Sequence, residues 1–134
     1  MRDAELDVLR RSLASRGGVA LALVFGSRAR GDHREGSDLD LAVVGENDPI
    51  GLSAELSSAL GVEVDVVTLE SPSIPLLRAV LRDARCVFEA RPGAWGSFLS
   101  SSLMELETDG PLFDRMQAAF VHRVAEHGLP GAGE

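Results

Sequence analysis

An unbroken apolar run from Val19 to Phe25, held between Gly18 and Gly26, constrains this chain more than any other feature. A strand with one wet face alternates apolar with polar residues, so a run that is apolar at every position reads as a strand covered on both sides. Such a strand needs a layer of structure on each face of its sheet. The flanking segments supply candidates for those layers. Leu6, Leu9 and Leu13 recur at helical spacing from Asp3 to about Ser15, and Gly17-Gly18 ends that helix before the run begins. Asp48-Pro49 opens a second helix that carries Leu52, Leu56 and Leu60 and closes at Gly61. Ser73 caps a third with Ile74, Leu77, Val80 and Leu81 along it. Between the helices, Asp38 to Val44 and Val62 to Val67 alternate as strands, and Arg85 to Ala90 gives a short fourth.

Residues Arg28 to Ser37 are charged and punctuated by glycine, so they read as a loop with at most a short helical turn. Past the break at Arg91-Pro92-Gly93, Trp95, Phe98, Leu99, Leu103 and Leu106 recur at helical spacing. Asp109-Gly110-Pro111 interrupts them before Phe113, Met116, Phe120 and Val124, which predicts two helices or one kinked helix. These tail aromatics are expected to cover the domain's own core first and a partner second. From Gly128 to Glu134 the composition predicts a frayed terminus. There is no internal repeat, and a chain of 134 residues suits one hydrophobic core. The expectation is an α/β (α+β) domain over residues 1–134, with a small mixed sheet of about four strands flanked by helices. Its core would occupy about 1–90 and a C-terminal helical segment about 94–127.

Composition narrows the function classes. A net charge of −8 argues against holding long nucleic acid, whose affinity comes from many cation–phosphate contacts. No apolar stretch approaches a membrane span, and Arg2, Asp3 and Glu5 at the N-terminus are unlike a signal peptide, so a cytoplasmic protein is expected. The lone Cys86, inside Cys86-Val87-Phe88, reads as a small buried residue. All 13 basic residues are Arg, and the absence of Lys and Tyr excludes a catalytic lysine and any tyrosine-linked modification of the chain itself. His33 in the loop, and His122 and His127 in the tail, have no ligand partner in sequence and predict no zinc site.

The chemistry resides in the acids. Side chains on a strand alternate faces, so Asp38 and Asp40 point the same way while Leu39 and Leu41 enter the opposite layer. Like charges held this close repel unless a cation lies between them, and Mg²⁺ favours one or two carboxylates together with substrate phosphates. On the third strand Val62, Val64 and Val66 share one face, leaving Asp65 on the other as a third carboxylate. Three such groups can hold two metal ions, the arrangement that phosphoryl-group transfer uses to activate the attacking oxygen and stabilise the leaving one. Gly26-Ser27, directly after the buried strand, lets the backbone approach a phosphate and offers a hydroxyl and N–H groups to its oxygens. Arg28 adds positive charge and joins Gly26 and Ser27 as a candidate nucleotide-binding residue. Arg30 and Arg34 read as solvated ion pairs with neighbours such as Asp32 and Glu35.

Gly26-Ser27, ten intervening residues, Asp38-Leu39-Asp40 and then Asp65 resemble the DNA polymerase β-type nucleotidyltransferase superfamily. Within it, the stretch Gly26 to Asp32, Val64-Asp65-Val66-Val67 and Leu76-Leu77-Arg78 resemble the minimal nucleotidyltransferases of the MntA antitoxin family, single-domain proteins encoded beside HEPN-domain toxins. The resemblance implies transfer of AMP from ATP, with Mg²⁺, to a tyrosine of the HEPN toxin, in a hetero-oligomer with that toxin. It implies Asp38, Asp40 and Asp65 as metal ligands, Asp65 also as base toward the acceptor hydroxyl, and Gly26 and Ser27 as the triphosphate holders. Having no tyrosine, the chain cannot be its own tyrosine acceptor. Two alternatives stay open: nucleotide transfer to a small molecule of the aminoglycoside type, and a non-catalytic module that binds nucleotide or toxin.

Overall fold

The computed structural model describes residues 1–31 and 36–127; the expectations for Asp32, His33, Arg34 and Glu35, and for the terminus beyond 127, lie outside the described residues. Four strands, β1 (Leu21–Phe25), β2 (Leu39–Val44), β3 (Val64–Thr68) and β4 (Arg85–Glu89), form one sheet in the order β3-β2-β1-β4. β1 is antiparallel to both its neighbours, and β3 runs parallel to β2. The helices are α1 (Asp3–Arg16), α2 (Ser27–Arg30), α3 (Pro49–Leu60), α4 (Ile74–Asp83) and α5 (Ala94–His127). This is the mixed α/β architecture that the apolar run demands, and α2 is the short helical turn allowed for the loop.

The two layers over β1 are explicit in the packing. Ala22 and Val24 join Leu41 and Val43 of β2 under Leu9 and Leu13 of α1 and Leu52 and Leu56 of α3. Leu21 and Leu23 join Ala42 on the other face, under Val80 of α4 and beside Trp95 and Phe98 of α5. Burying both faces of one strand contributes about 1.5–3 kcal/mol per large side chain. The sheet is thereby pinned at its centre, and the strand ends that carry the acids can lie at the surface. The helix starts also follow the sequence: Asp48 accepts from Gly51 N at 3.0 Å and Ser73 Oγ from Leu76 N at 3.2 Å.

One expectation is narrowed and two are corrected. Of the two forms expected for the tail, it takes the single helix: α5 runs for 34 residues through Gly110-Pro111. Pro111 removes one helical hydrogen bond, but contacts from α4 hold the segment. Arg78 grips Asp114 with both terminal nitrogens, at 2.8 and 3.0 Å, and lies over the Phe113 ring. Gly110 is buried beneath it, where a Cβ would stand 3.1 Å from Arg78 Nη2. Secondly, the tail aromatics divide. Trp95 and Phe98 stack on one another and pack on the sheet, whereas among the described residues from Pro111 to His127 only Phe113 and Val124 are even partly covered. Met116 and Phe120 are exposed because the helix extends past the surface it packs on. Thirdly, Cys86 is half-buried rather than buried: it lies on β4, an edge strand, with its thiol toward Phe88 O and its pKa pushed up mainly by burial.

Candidate active site

β1 ends where its backbone must make way for an acid. Phe25 pairs with Asp40 across the antiparallel ladder, and Asp40 is level with Asp65 across the parallel one. Period-2 alternation keeps Asp40 off the face occupied by Leu39 and Leu41. Gly26 follows at φ 74° and ψ −154°, a conformation open essentially to glycine alone. A Cβ at this position would lie 2.5 Å from Asp40 Oδ2. Gly26 is therefore required for its backbone conformation and for the space it leaves to the Asp40 carboxylate.

Ser27 then opens α2, whose single turn closes by Ala29 N and Arg30 N donating to Gly26 O and Gly31 N to Ser27 O. The first N–H groups of such a turn have no intrahelical acceptor, and beside them the Ser27 hydroxyl adds a further donor. Asp38 stands one residue before β2, which starts at Leu39 rather than at Asp38. Its side chain is exposed, as is that of Asp65, while Asp40 is half-buried between them. Burial raises the Asp40 pKa first, and the negative charges of Asp65 and then Asp38 raise it further. The three carboxylates thus share one electrostatic neighbourhood around Asp40.

A cation there would reverse that repulsion. Among the described residues no three acidic, His or Cys side chains close around a single point. A hard divalent ion does not need them to: Mg²⁺ takes one or two carboxylates and completes its octahedron with phosphate oxygens and water. The donors present therefore fit a Mg²⁺–nucleotide complex better than a protein-only cage.

Arg28 goes elsewhere. Its side chain is buried, with Nη2 and Nε donating to Ser37 O at 2.6 and 3.3 Å and Nη1 lying 3.5 Å from Glu5 Oε2. Gly26, Ser27, Asp38, Asp40 and Asp65 come together, and the guanidinium expected beside the phosphates faces the protein. Arg30 reaches Asp83 of α4 at 2.8 Å, and the loop neighbours expected to pair with it lie outside the described residues. No sequence signal singled out Ser37, Glu5 or Asp83, because each acts through a contact between distant segments. A cleft of about 620 Å³ borders Arg28, lined also by Arg2, Glu5, Gly36, Leu60 and Val62, but none of the five site residues lines it. Asp38 and Asp65 are exposed and lie outside this cleft.

Comparison with known proteins gives a family and relatives. Residues 8–92 match the family described as polymerase beta, nucleotidyltransferase. The protein adenylyltransferase MntA of Thermococcus cleftensis is 37% identical over 79 residues, which is 55% of this chain and 80% of the relative. A Methanocaldococcus jannaschii protein, provisionally named a protein adenylyltransferase, is 42% identical over 72 residues, 50% of this chain and 77% of the relative. Among solved structures, a chain of the tri-AMPylated Shewanella oneidensis HEPN toxin in complex with MNT antitoxin aligns with TM-score 0.62 and 21% identity. That alignment covers 94% of this chain and 98% of the other, a likeness of fold.

Proposed function

Because the chain belongs to the polymerase beta nucleotidyltransferase family, we propose that it is a Mg²⁺-dependent protein adenylyltransferase that moves AMP from ATP to a tyrosine of a HEPN-domain toxin and so acts as its antitoxin. The observation that carries the reading is the meeting of Asp40 with Gly26 on one side and Asp65 on the other. The curated relatives support a protein acceptor by their names, and the Shewanella oneidensis complex joins an MNT antitoxin to a tri-AMPylated HEPN toxin. The exposure of Asp38 and Asp65 supports it too, since exposed carboxylates can meet a side chain carried on a large partner. This chain holds no tyrosine, so the acceptor belongs to another molecule. No helix among the described residues is long and apolar enough to cross a membrane.

In this reading Gly26 lets the triphosphate approach the backbone, and the Ser27 hydroxyl and N–H donate to its oxygens. Asp38, Asp40 and Asp65 would hold Mg²⁺, which when bound neutralises phosphate charge and polarises the α-phosphoryl group. The acceptor hydroxyl oxygen forms a bond to the α-phosphorus, the bond from that phosphorus to the β-bridging oxygen breaks, and pyrophosphate leaves. Asp65, exposed at its strand, accepts the hydroxyl proton and can return it to solvent.

The test is transfer of label from α-phosphate-labelled ATP, with Mg²⁺, to a co-purified HEPN-type partner. Label on the partner with the native chain, and none with Asp38→Ala plus Asp40→Ala, is the expected result. A bound, tyrosine-exposing partner that stays unlabelled would overturn the reading in favour of a small-molecule acceptor or a non-catalytic module.

A further inference from the structure

Asp38 is an exposed carboxylate at the very start of a strand, the kind of position where a side chain is poorly aimed unless the backbone around it is held. Both of its neighbours are held. Leu39 N donates to Glu63 O at 2.9 Å, which ties the far side of Asp38 to the entry of β3. On the near side, Ser37 O receives two donors from one guanidinium, Arg28 Nη2 and Nε. Arg28 itself follows Ser27 directly, so its backbone belongs to the turn that faces the phosphates. Its third nitrogen reaches Glu5 of α1, and Glu5 is in turn anchored by accepting from Arg2 N and Nε at 3.2 and 3.3 Å.

We infer that Arg28 is a positioning residue: it couples the Gly26-Ser27 turn to the peptide that aims Asp38, and it does not bind the triphosphate. The inference rests on the nucleotidyltransferase reading of the site. The side chain is 7% exposed and its donors point at protein acceptors, so reaching a phosphate would mean abandoning a buried fork. Two parallel N–H groups aimed at one oxygen are a property of guanidinium that an ammonium cannot copy, whereas either cation can neutralise a phosphate. Arg28→Lys therefore separates the two roles.

The experiment compares the native chain with Arg28→Lys and Arg28→Met in two measurements. One is steady-state AMP transfer, with kcat and the KM for ATP resolved. The other is amide hydrogen exchange of the chain alone. Positioning predicts that both variants lose kcat by about 10- to 100-fold, as for a reacting group displaced by about 1 Å, while KM for ATP changes by less than about threefold. It also predicts amide exchange at least about tenfold faster at the hydrogen-bonded amides of Leu39 and of 29–31, with α3 and α4 unchanged. Unchanged exchange in both variants, or a raised KM for ATP at undiminished kcat, would overturn the inference. So would full activity of Arg28→Lys. Should Arg28→Met fail to fold, Arg28→Lys and Glu5→Gln decide the matter, because Glu5→Gln leaves the fork on Ser37 and is expected to keep native protection there. If the native chain transfers no AMP, the proposed function falls, and the exchange measurement still tells whether Arg28 holds the Asp38 peptide.

Discussion

Replacing Gly26 with alanine strains the backbone and crowds the acid in one step. At φ 74° and ψ −154° an L residue costs about 1–3 kcal/mol. The added methyl would lie 2.5 Å from Asp40 Oδ2, so the carboxylate must retreat by roughly 1 Å to reach ordinary contact. Asp40 has little freedom to do so, because Leu39 and Leu41 on either side of it are buried and Asp65 lies level with it on β3. At this chain length 1 kcal/mol corresponds to roughly 4 °C in Tm, so a loss of about 2 kcal/mol predicts a fall of about 8 °C. A reacting group displaced by about 1 Å loses about a hundredfold in rate. Differential scanning calorimetry and labelled-ATP transfer read the two effects separately, with Ser27→Ala as a neighbour that introduces neither strain nor bulk. A Gly26→Ala chain with native Tm and native transfer would refute the close approach of Asp40 to this backbone as a requirement of the site.

Other substitutions probe different parts of the molecule. Asp40→Asn removes the charge that Asp65 and Asp38 repel; we expect its metal-free Tm at pH 7 to equal or exceed the native value while AMP transfer drops at least about a thousandfold, checked by thermal shift with and without Mg²⁺–ATP. Glu46 is buried against Arg16, which donates to it at 2.7 and 3.1 Å and holds its pKa below the ordinary 4.5. A depressed carboxyl stabilises the fold above its unfolded pKa and loses that contribution as pH falls through the folded one. Glu46→Gln should therefore cost about 2 kcal/mol at pH 7 and flatten the decline in Tm below pH 4.5, measured by calorimetry across that range. Gly110→Leu places bulk against Arg78 Nη2; faster limited proteolysis within 105–120 is expected, with the Tm of the sheet domain little changed.

The legible part of the fold was the part governed by neighbours in sequence. The apolar run of β1, the alternation in β2 and β3, and the Asp48 and Ser73 caps are local consequences of side-chain periodicity and backbone hydrogen bonding, and each appears near its expected place. The candidate site was legible for the same reason. Strand alternation sets Asp40 and Asp65 off the core face and a glycine directly after a buried strand marks a close approach, whereas Asp38 stands one residue before β2. Arg28 was visible as a charge but not as a direction, since a long side chain turns toward whichever acceptor the fold brings near, here Ser37 O and Glu5. The same holds for Arg30 with Asp83 and for Arg78 with Asp114.

By itself, then, the sequence determined that a doubly covered strand would end in Gly26-Ser27 and that Asp40 and Asp65 would lie on strand faces turned from the core. Tertiary structure alone decided that β2 lies between β1 and β3, which sets Phe25, Asp40 and Asp65 level with one another. It also decided that α5 continues through Gly110-Pro111 and leaves Met116 and Phe120 uncovered. The division has one physical cause. Periodicity and capping depend on residues within a turn or two, whereas strand order, register and the reach of an arginine depend on which distant segments share the same core.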